Sequence, residues 1–89
     1  MSDGRTIVYA PEAARELDAL DAVMRGRIES ALASLALDPL AQHNQIKRLK
    51  GDTALRLRVG DWRIIFDASP SEIVVLAIGH RREVYRGEA

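Results

Sequence analysis

The sequence predicts an α+β fold in which a mainly antiparallel sheet carries a helical hairpin on one face. Three observations support it: a strand pattern comes first, two stretches of helical periodicity follow, and the second half alternates between apolar and polar residues. The chain has 89 residues, which is the length of one domain. We therefore expect residues 1–89 to form a single domain.

The first half predicts one strand and two helices. Residues 6–9 are β-branched and aromatic, which favours a strand. Pro11 suits the first turn of a helix, and apolar residues then recur at helical spacing. Asp21 can cap a second helix, whose apolar stripe continues to Leu35 before Pro39 ends it. An antiparallel helical hairpin is expected, with one bent helix as the alternative.

The second half predicts three strands that form an antiparallel meander. A short extended stretch precedes them at residues 46–51 and ends in a glycine turn. The strand patterns cover residues 54–59, 62–68 and 72–78. Ser69, Pro70 and Ser71 join the last two strands, and a short tail leaves the third.

The turn between the first two of these strands determines which side chains share a face. Gly60 and Asp61 form a two-residue loop led by glycine, which fits a type II′ hairpin turn. That turn places Arg58 opposite Arg63, and strand alternation puts Arg56 on the same face. The other face is wholly apolar, so the helices should pack there. Like charges directly opposite each other are destabilising, and an anion between them would offset this cost.

The C-terminal tail adds further cations. Arg81, Arg82 and Tyr85 follow the last strand, which finishes near Arg63 if it pairs antiparallel with its predecessor. For the strand arginines alone, a solvated surface is an equally good interpretation. The convergence with the tail favours an anion site, because the planar guanidinium group matches phosphate oxygens.

Several other polar residues carry weaker signals. Lys47 and Lys50 belong to a short basic run, which is usually a solvated loop but can also contact phosphate. His80, beside two arginines, is interpreted as a structural hydrogen-bonding residue, and Trp62 is expected in the core. The carboxylates of the helices, including Glu16, are expected to lie on helix surfaces. With two distant histidines and no cysteine, we expect neither a metal site nor a cofactor.

The charge distribution and the apolar patterning limit the function further. Thirteen basic and thirteen acidic residues cancel, which argues against a general nucleic-acid binder. The charges are uneven, however: residues 1–42 hold seven acids and four bases, whereas residues 43–89 hold nine bases and six acids. No apolar run approaches the ~18 residues of a membrane span, and no signal-peptide core is present. A cytoplasmic protein without membrane contact is expected.

Three segments together resemble the RelE/ParE toxin superfamily. They are KRLKG at residues 47–51, LRLRVGDWRIIF at 55–66 and IGHRREVYR at 78–86. The resemblance implies the toxin of a type II toxin–antitoxin module, with a cognate antitoxin as its partner. RelE-like members cleave messenger RNA in the ribosomal A site without metal, whereas ParE-like members poison DNA gyrase.

The resemblance also implies roles for individual residues. Arg63 matches the arginine after the hairpin turn, Arg81 the arginine after the last strand, and Tyr85 the C-terminal tyrosine implicated in catalysis. Arg56 and Arg58 match positions that are basic, often lysine. The tail tyrosine favours the RelE-like branch.

The expected activity is therefore that of a ribosome-dependent endoribonuclease, in which the RNA 2′-hydroxyl attacks the adjacent phosphate. Arg63 and Arg81 are expected to hold the phosphate, and Tyr85 to act as general base. Supporting phosphate contacts are expected from Arg56, Arg58, Lys47, Lys50 and Arg82. Two alternatives stay open: a gyrase inhibitor without nuclease activity, and a non-toxic module whose cationic face docks an acidic partner.

Overall fold

The computed structural model describes residues 4–38, 45–48 and 54–80, and every structural statement below concerns these residues. They form two helices and a five-stranded mixed sheet, which confirms the predicted α+β class. The elements in chain order are β1 (Thr6–Tyr9), α1 (Pro11–Asp18), α2 (Ala22–Leu37), β2 (Ile46–Arg48), β3 (Leu55–Val59), β4 (Trp62–Ala68) and β5 (Glu72–His80).

The strands lie side by side in the order β1-β5-β4-β3-β2. The predicted meander β3-β4-β5 is antiparallel, and β2 extends it by pairing antiparallel with β3. β1 pairs parallel with β5, so the first and last strands are neighbours. The predicted extended stretch at residues 46–51 is confirmed as a strand for 46–48, and its remainder lies outside the described residues.

The chain forms two separate helices, as predicted, and not one bent helix, because the helical hydrogen bonding ends at Asp18 and restarts at Ala22. α1 begins at Pro11, whose missing N–H is not needed in a first turn. The Asp21 side chain caps α2 by accepting a 2.8 Å hydrogen bond from the backbone N–H of Met24. Neither helix in the described part of the chain is long and apolar enough to cross a membrane.

The core lies between the helices and one face of the sheet. Ile28 and Leu32 of α2 are fully buried against Leu57, Ile64 and Phe66 of the central strands. Each side chain of this kind stabilises the fold by about 1.5–3 kcal/mol when it is fully buried. The apolar face predicted from strand alternation is therefore confirmed, and the arginines of β3 and β4 are left on the opposite face.

Candidate anion-binding site

The hairpin between β3 and β4 has the predicted register. Arg58 pairs with Arg63, and Val59 pairs with Trp62 across the two-residue turn. Gly60 has a φ of +61°, a left-handed conformation that glycine adopts without the steric cost of a Cβ. The turn sequence thus sets the register that brings the two arginines side by side.

Strand β2 brings a further cation to the same face. Lys47 pairs with Arg56 of β3, so the two side chains point to the same side of the sheet. A pocket of about 180 Å³ opens on this face. Among the described residues, four cations and one amide line it, and no carboxylate does: Gln45, Lys47, Arg56, Arg58 and Arg63. Such a pocket attracts anions.

Arg63 is the most enclosed of these cations, with 8% of its surface exposed. Its Nη1 atom donates to the backbone carbonyl oxygens of Gly60 at 3.3 Å and Trp62 at 3.2 Å. These two bonds hold the guanidinium group against the hairpin turn. The Arg63 guanidinium is therefore held in one orientation on the face of the sheet that carries the other cations.

Arg58 is exposed, and a neutral partner orients it. Its Nε atom donates to the Gln45 side-chain oxygen at 2.9 Å. The sequence interpretation did not include Gln45 among the candidate site residues. Its place follows from the β2–β3 register: Ile46 pairs with Leu57, so one step further position 45 faces Arg58.

The end of β5 lies where the sequence predicts, beside the start of β4. Gly79 pairs with Arg63 and His80 pairs with Trp62. β5 extends to His80, two residues beyond the predicted end, because this pairing continues the ladder. The last described residues of β5 therefore lie next to Arg63. Four of the predicted site residues, Lys50, Arg81, Arg82 and Tyr85, lie outside the described residues.

His80 does not join the arginines. Its ring meets the Trp62 ring edge-on, with centroids 5.8 Å apart and an interplanar angle of 82°. Trp62 packs against the core, as expected, so His80 lies on the helix side of the sheet. The sequence interpretation was a structural hydrogen-bonding role, whereas the contact that the structure shows for His80 is this ring contact. In the described part of the chain, no three His, Asp or Glu side chains are grouped as metal ligands.

The position of the Glu16 side chain in α1 differs from the prediction. Its carboxylate was expected to lie on the helix surface, but it accepts a 2.7 Å hydrogen bond from the backbone N–H of Ile78 in β5. β1 pairs with β5 only as far as Val75, so the later N–H groups on that edge need another acceptor. Glu16 supplies one, and it ties α1 to the strand end beside Arg63.

The family model described as the ParE toxin of type II toxin–antitoxin system, parDE, matches residues 7–85. The fold is similar to that of a chain in the archaeal RelE–RelB complex from Pyrococcus horikoshii OT3. The TM-score is 0.74 and the identity 19%, over 88% of this chain and 96% of that one.

Two further solved structures show the same likeness. For the RelB–RelE antitoxin–toxin complex from Methanococcus jannaschii, the TM-score is 0.69 and the identity 21%, over 92% of this chain and 99% of that one. For the YoeB/ParE toxin from Agrobacterium tumefaciens, the TM-score is 0.70 and the identity 18%, over 84% of this chain and 96% of that one. At these identities the likeness concerns the fold. The sequence has no match among the curated proteins.

Proposed function

The chain belongs to the ParE toxin family and is the toxin of a type II toxin–antitoxin system, and on that premise we propose that it cleaves messenger RNA on the ribosome without a metal ion. Its partner is a cognate antitoxin, as in the RelB–RelE antitoxin–toxin complex of similar fold. The proposed substrate is the phosphodiester backbone of messenger RNA in the ribosome.

The observation that carries this proposal is the convergence of four cations from three strands in one pocket. Arg58 lies directly opposite Arg63, and Lys47 directly opposite Arg56. Like charges so placed destabilise a sheet by up to about 1 kcal/mol per pair. A phosphate bound in the pocket is attracted by all four cations, and this attraction offsets their mutual repulsion. The arrangement therefore suits phosphate binding.

The proposed reaction uses the RNA itself as nucleophile. The 2′-oxygen forms a bond to the adjacent phosphorus, and the bond from phosphorus to the 5′-oxygen breaks. The products are a 2′,3′-cyclic phosphate and a 5′-hydroxyl. One proton leaves the 2′-hydroxyl and one is delivered to the departing 5′-oxygen, so the protein supplies positioning, proton transfer and charge stabilisation.

We assign these tasks to three residues. Arg63 and Arg81 hold the phosphate and stabilise the charge that develops on it, and each such contact contributes about 2.7–4 kcal/mol by analogy with oxyanion-hole donors. Tyr85 takes the proton from the 2′-hydroxyl. The carbonyl contacts that fix Arg63 support its role, because a preorganised cation pays no reorientation cost during the reaction.

The remaining cations are assigned to substrate binding. Arg56, Arg58 and Lys47 line the described pocket and would contact phosphates on either side of the reacting one. Lys50 and Arg82 are proposed as further phosphate contacts. Contacts of this kind raise affinity and make it dependent on salt concentration.

A second candidate function is inhibition of DNA gyrase without nuclease activity. The family model itself favours it, since it describes ParE toxins. On this alternative the arginine face is a protein-docking surface, and Tyr85 has no chemical task. Substituting the tyrosine would then leave toxicity unchanged.

The two functions are separated by assaying variants in parallel. We expect Arg81→Ala and Tyr85→Phe each to reduce ribosome-dependent mRNA cleavage about 10²–10³-fold. Arg63→Lys keeps the charge but removes the planar fork, so it should also lose activity while retaining the fold. The control is Arg15→Ala, which removes an exposed charge from α1.

A supercoiling assay with purified gyrase is run on the same proteins. Undiminished cutting by both Arg81→Ala and Tyr85→Phe contradicts the assigned mechanism. Inhibition of gyrase by the wild type, with no mRNA cleavage, favours the second function. Rescue of growth by an antitoxin gene adjacent to the toxin gene tests the toxin–antitoxin pairing separately.

A further inference from the structure

A second cationic pocket lies beside the β3–β4 hairpin turn and shares two lining residues with the pocket on the sheet face. It has a volume of about 410 Å³, and among the described residues it is lined by Arg27, Ala31, Gln45, Arg58, Val59 and Gly60. Two arginines from different layers of the fold thus face one pocket, Arg27 from α2 and Arg58 from β3. The other lining residues carry no charge, so no carboxylate in the described part of the chain offsets the two cations there.

The guanidinium group of Arg27 lies against the hairpin turn. A Cβ built on Gly60 would lie 3.5 Å from Nη2 and 3.6 Å from Nη1 of Arg27, which is ordinary van der Waals contact. Arg27 of α2 is therefore close to the turn that joins β3 and β4.

The two pockets share two lining residues, Gln45 and Arg58. These two side chains are joined by the 2.9 Å hydrogen bond from Arg58 Nε to the Gln45 oxygen. An anionic chain that extends from the sheet pocket past Arg58 reaches the pocket that Arg27 lines. The Gln45 amide lines both pockets, and it can both donate and accept hydrogen bonds.

We propose that the pocket between Arg27 and Arg58 binds a second phosphate of the same RNA strand, so that the RNA passes from the sheet face over the β3–β4 turn onto α2. The inference rests on the proposed function, because that function places the first phosphate in the sheet pocket. Gln45 contacts the ribose or base between the two phosphates. This gives the chain a binding contact outside the reacting centre.

The chemistry of the pocket favours RNA over an acidic peptide. Guanidinium groups bind phosphate oxygens in bidentate geometry, and phosphates recur along a nucleic-acid strand at near-constant spacing. The Gln45 amide N–H, which lines both pockets, can donate to the ribose 2′-oxygen, an acceptor that a 2′-O-methyl ribose also keeps. A peptide that bound through carboxylates would use the two arginines but not this amide.

The test is binding of a fluorescently labelled, single-stranded RNA with 2′-O-methyl riboses, which lacks the nucleophile and cannot be cleaved. We expect Arg27→Ala to weaken its affinity for the free toxin about three- to tenfold. The slope of log affinity against log salt concentration should fall by about 0.7, the value for one phosphate contact on a single strand. Arg15→Ala, which removes another exposed helix arginine, should change neither quantity.

Two other outcomes of this binding assay would contradict the proposal. Equal affinity of Arg27→Ala and the wild type, together with weakened binding by Arg58→Ala, removes the second site and leaves the sheet pocket intact. A larger effect of Arg27→Ala on a labelled polyglutamate peptide than on the RNA assigns the pocket to an acidic protein partner. Because the RNA cannot be cleaved, a failure of the nuclease mechanism would appear in the cleavage assay and not here.

Discussion

Replacing Glu16 by alanine removes the carboxylate that accepts the 2.7 Å hydrogen bond from the Ile78 backbone N–H. Alanine has a higher intrinsic helix propensity than glutamate, so α1 itself is not weakened by the change. The effect therefore comes from one contact between the helix and β5. The N–H of Ile78 loses its partner in a part-buried position, where water replaces the carboxylate only incompletely.

The magnitude follows from the charge of the acceptor. A hydrogen bond to a charged group contributes about 1.5–3 kcal/mol to stability, so Glu16→Ala should lower the free energy of unfolding by about 2 kcal/mol. For a domain of this size, 1 kcal/mol corresponds to about 4–8 °C in Tm. Glu16→Gln keeps an oxygen acceptor but loses the charge, and should cost about half as much.

The assay is chemical denaturation, combined with hydrogen exchange at the Ile78 amide. Asp18→Ala is the matched control, because Asp18 is an exposed carboxylate near the end of the same helix. We expect the control to keep wild-type stability and Glu16→Ala to lose both stability and local amide protection. If Glu16→Ala unfolds within about 0.5 kcal/mol of the control, the hydrogen bond does not fix the end of β5 and the reasoning fails.

Two other predictions concern glycine positions in the backbone and the half-buried phenol of Tyr9. Gly60→Ala should destabilise the protein by about 1–2 kcal/mol, because Gly60 has a φ of +61°. Gly26→Ala should stabilise α2 by about 0.5–1 kcal/mol, because the new Cβ would lie in open space. Thermal unfolding should therefore show a lower Tm for the first variant and a higher Tm for the second. Burial, and secondly the Glu29 carboxylate, raise the pKa of Tyr9 above 10.0. The unfolded chain then releases this proton first, so stability should fall as pH rises through about 10, and Tyr9→Phe should show a shallower fall in alkaline denaturation.

The hairpin could be predicted from the sequence because its geometry is local. A two-residue loop leaves one register, and that register places Arg58 opposite Arg63 and the apolar residues on the other face. Asp21 could be identified as a cap for the same reason, since its partner N–H is three residues away. In both cases the interacting groups are neighbours in the chain, so no knowledge of the tertiary arrangement is needed.

The remaining contacts depend on how distant elements pack. Glu16 and Ile78 meet only because β1 pairs with the first part of β5 and leaves the second part open beside α1. Arg27 lies over Gly60 only because α2 crosses the sheet above the hairpin turn. No local pattern distinguishes these residues from ordinary helix-surface residues. Hydrophobic periodicity predicts which side of a helix is buried, but it does not predict which strand residues each helical turn contacts.

The balance of thirteen acidic and thirteen basic residues is compatible with the proposed RNA-binding face, because the cations of the sheet pocket and several helix carboxylates lie on opposite sides of the sheet. Glu12, Asp18 and Glu29 lie on exposed positions of the helices, whereas the cations of the sheet pocket lie on the opposite side of the sheet. Layers packed in this way are separated by about 10 Å, which is also about the Debye length at 0.1 M salt. An RNA phosphate in the sheet pocket therefore experiences the nearby arginines strongly and the helix carboxylates only weakly. Local charge, and not the net charge of the chain, determines what this face binds.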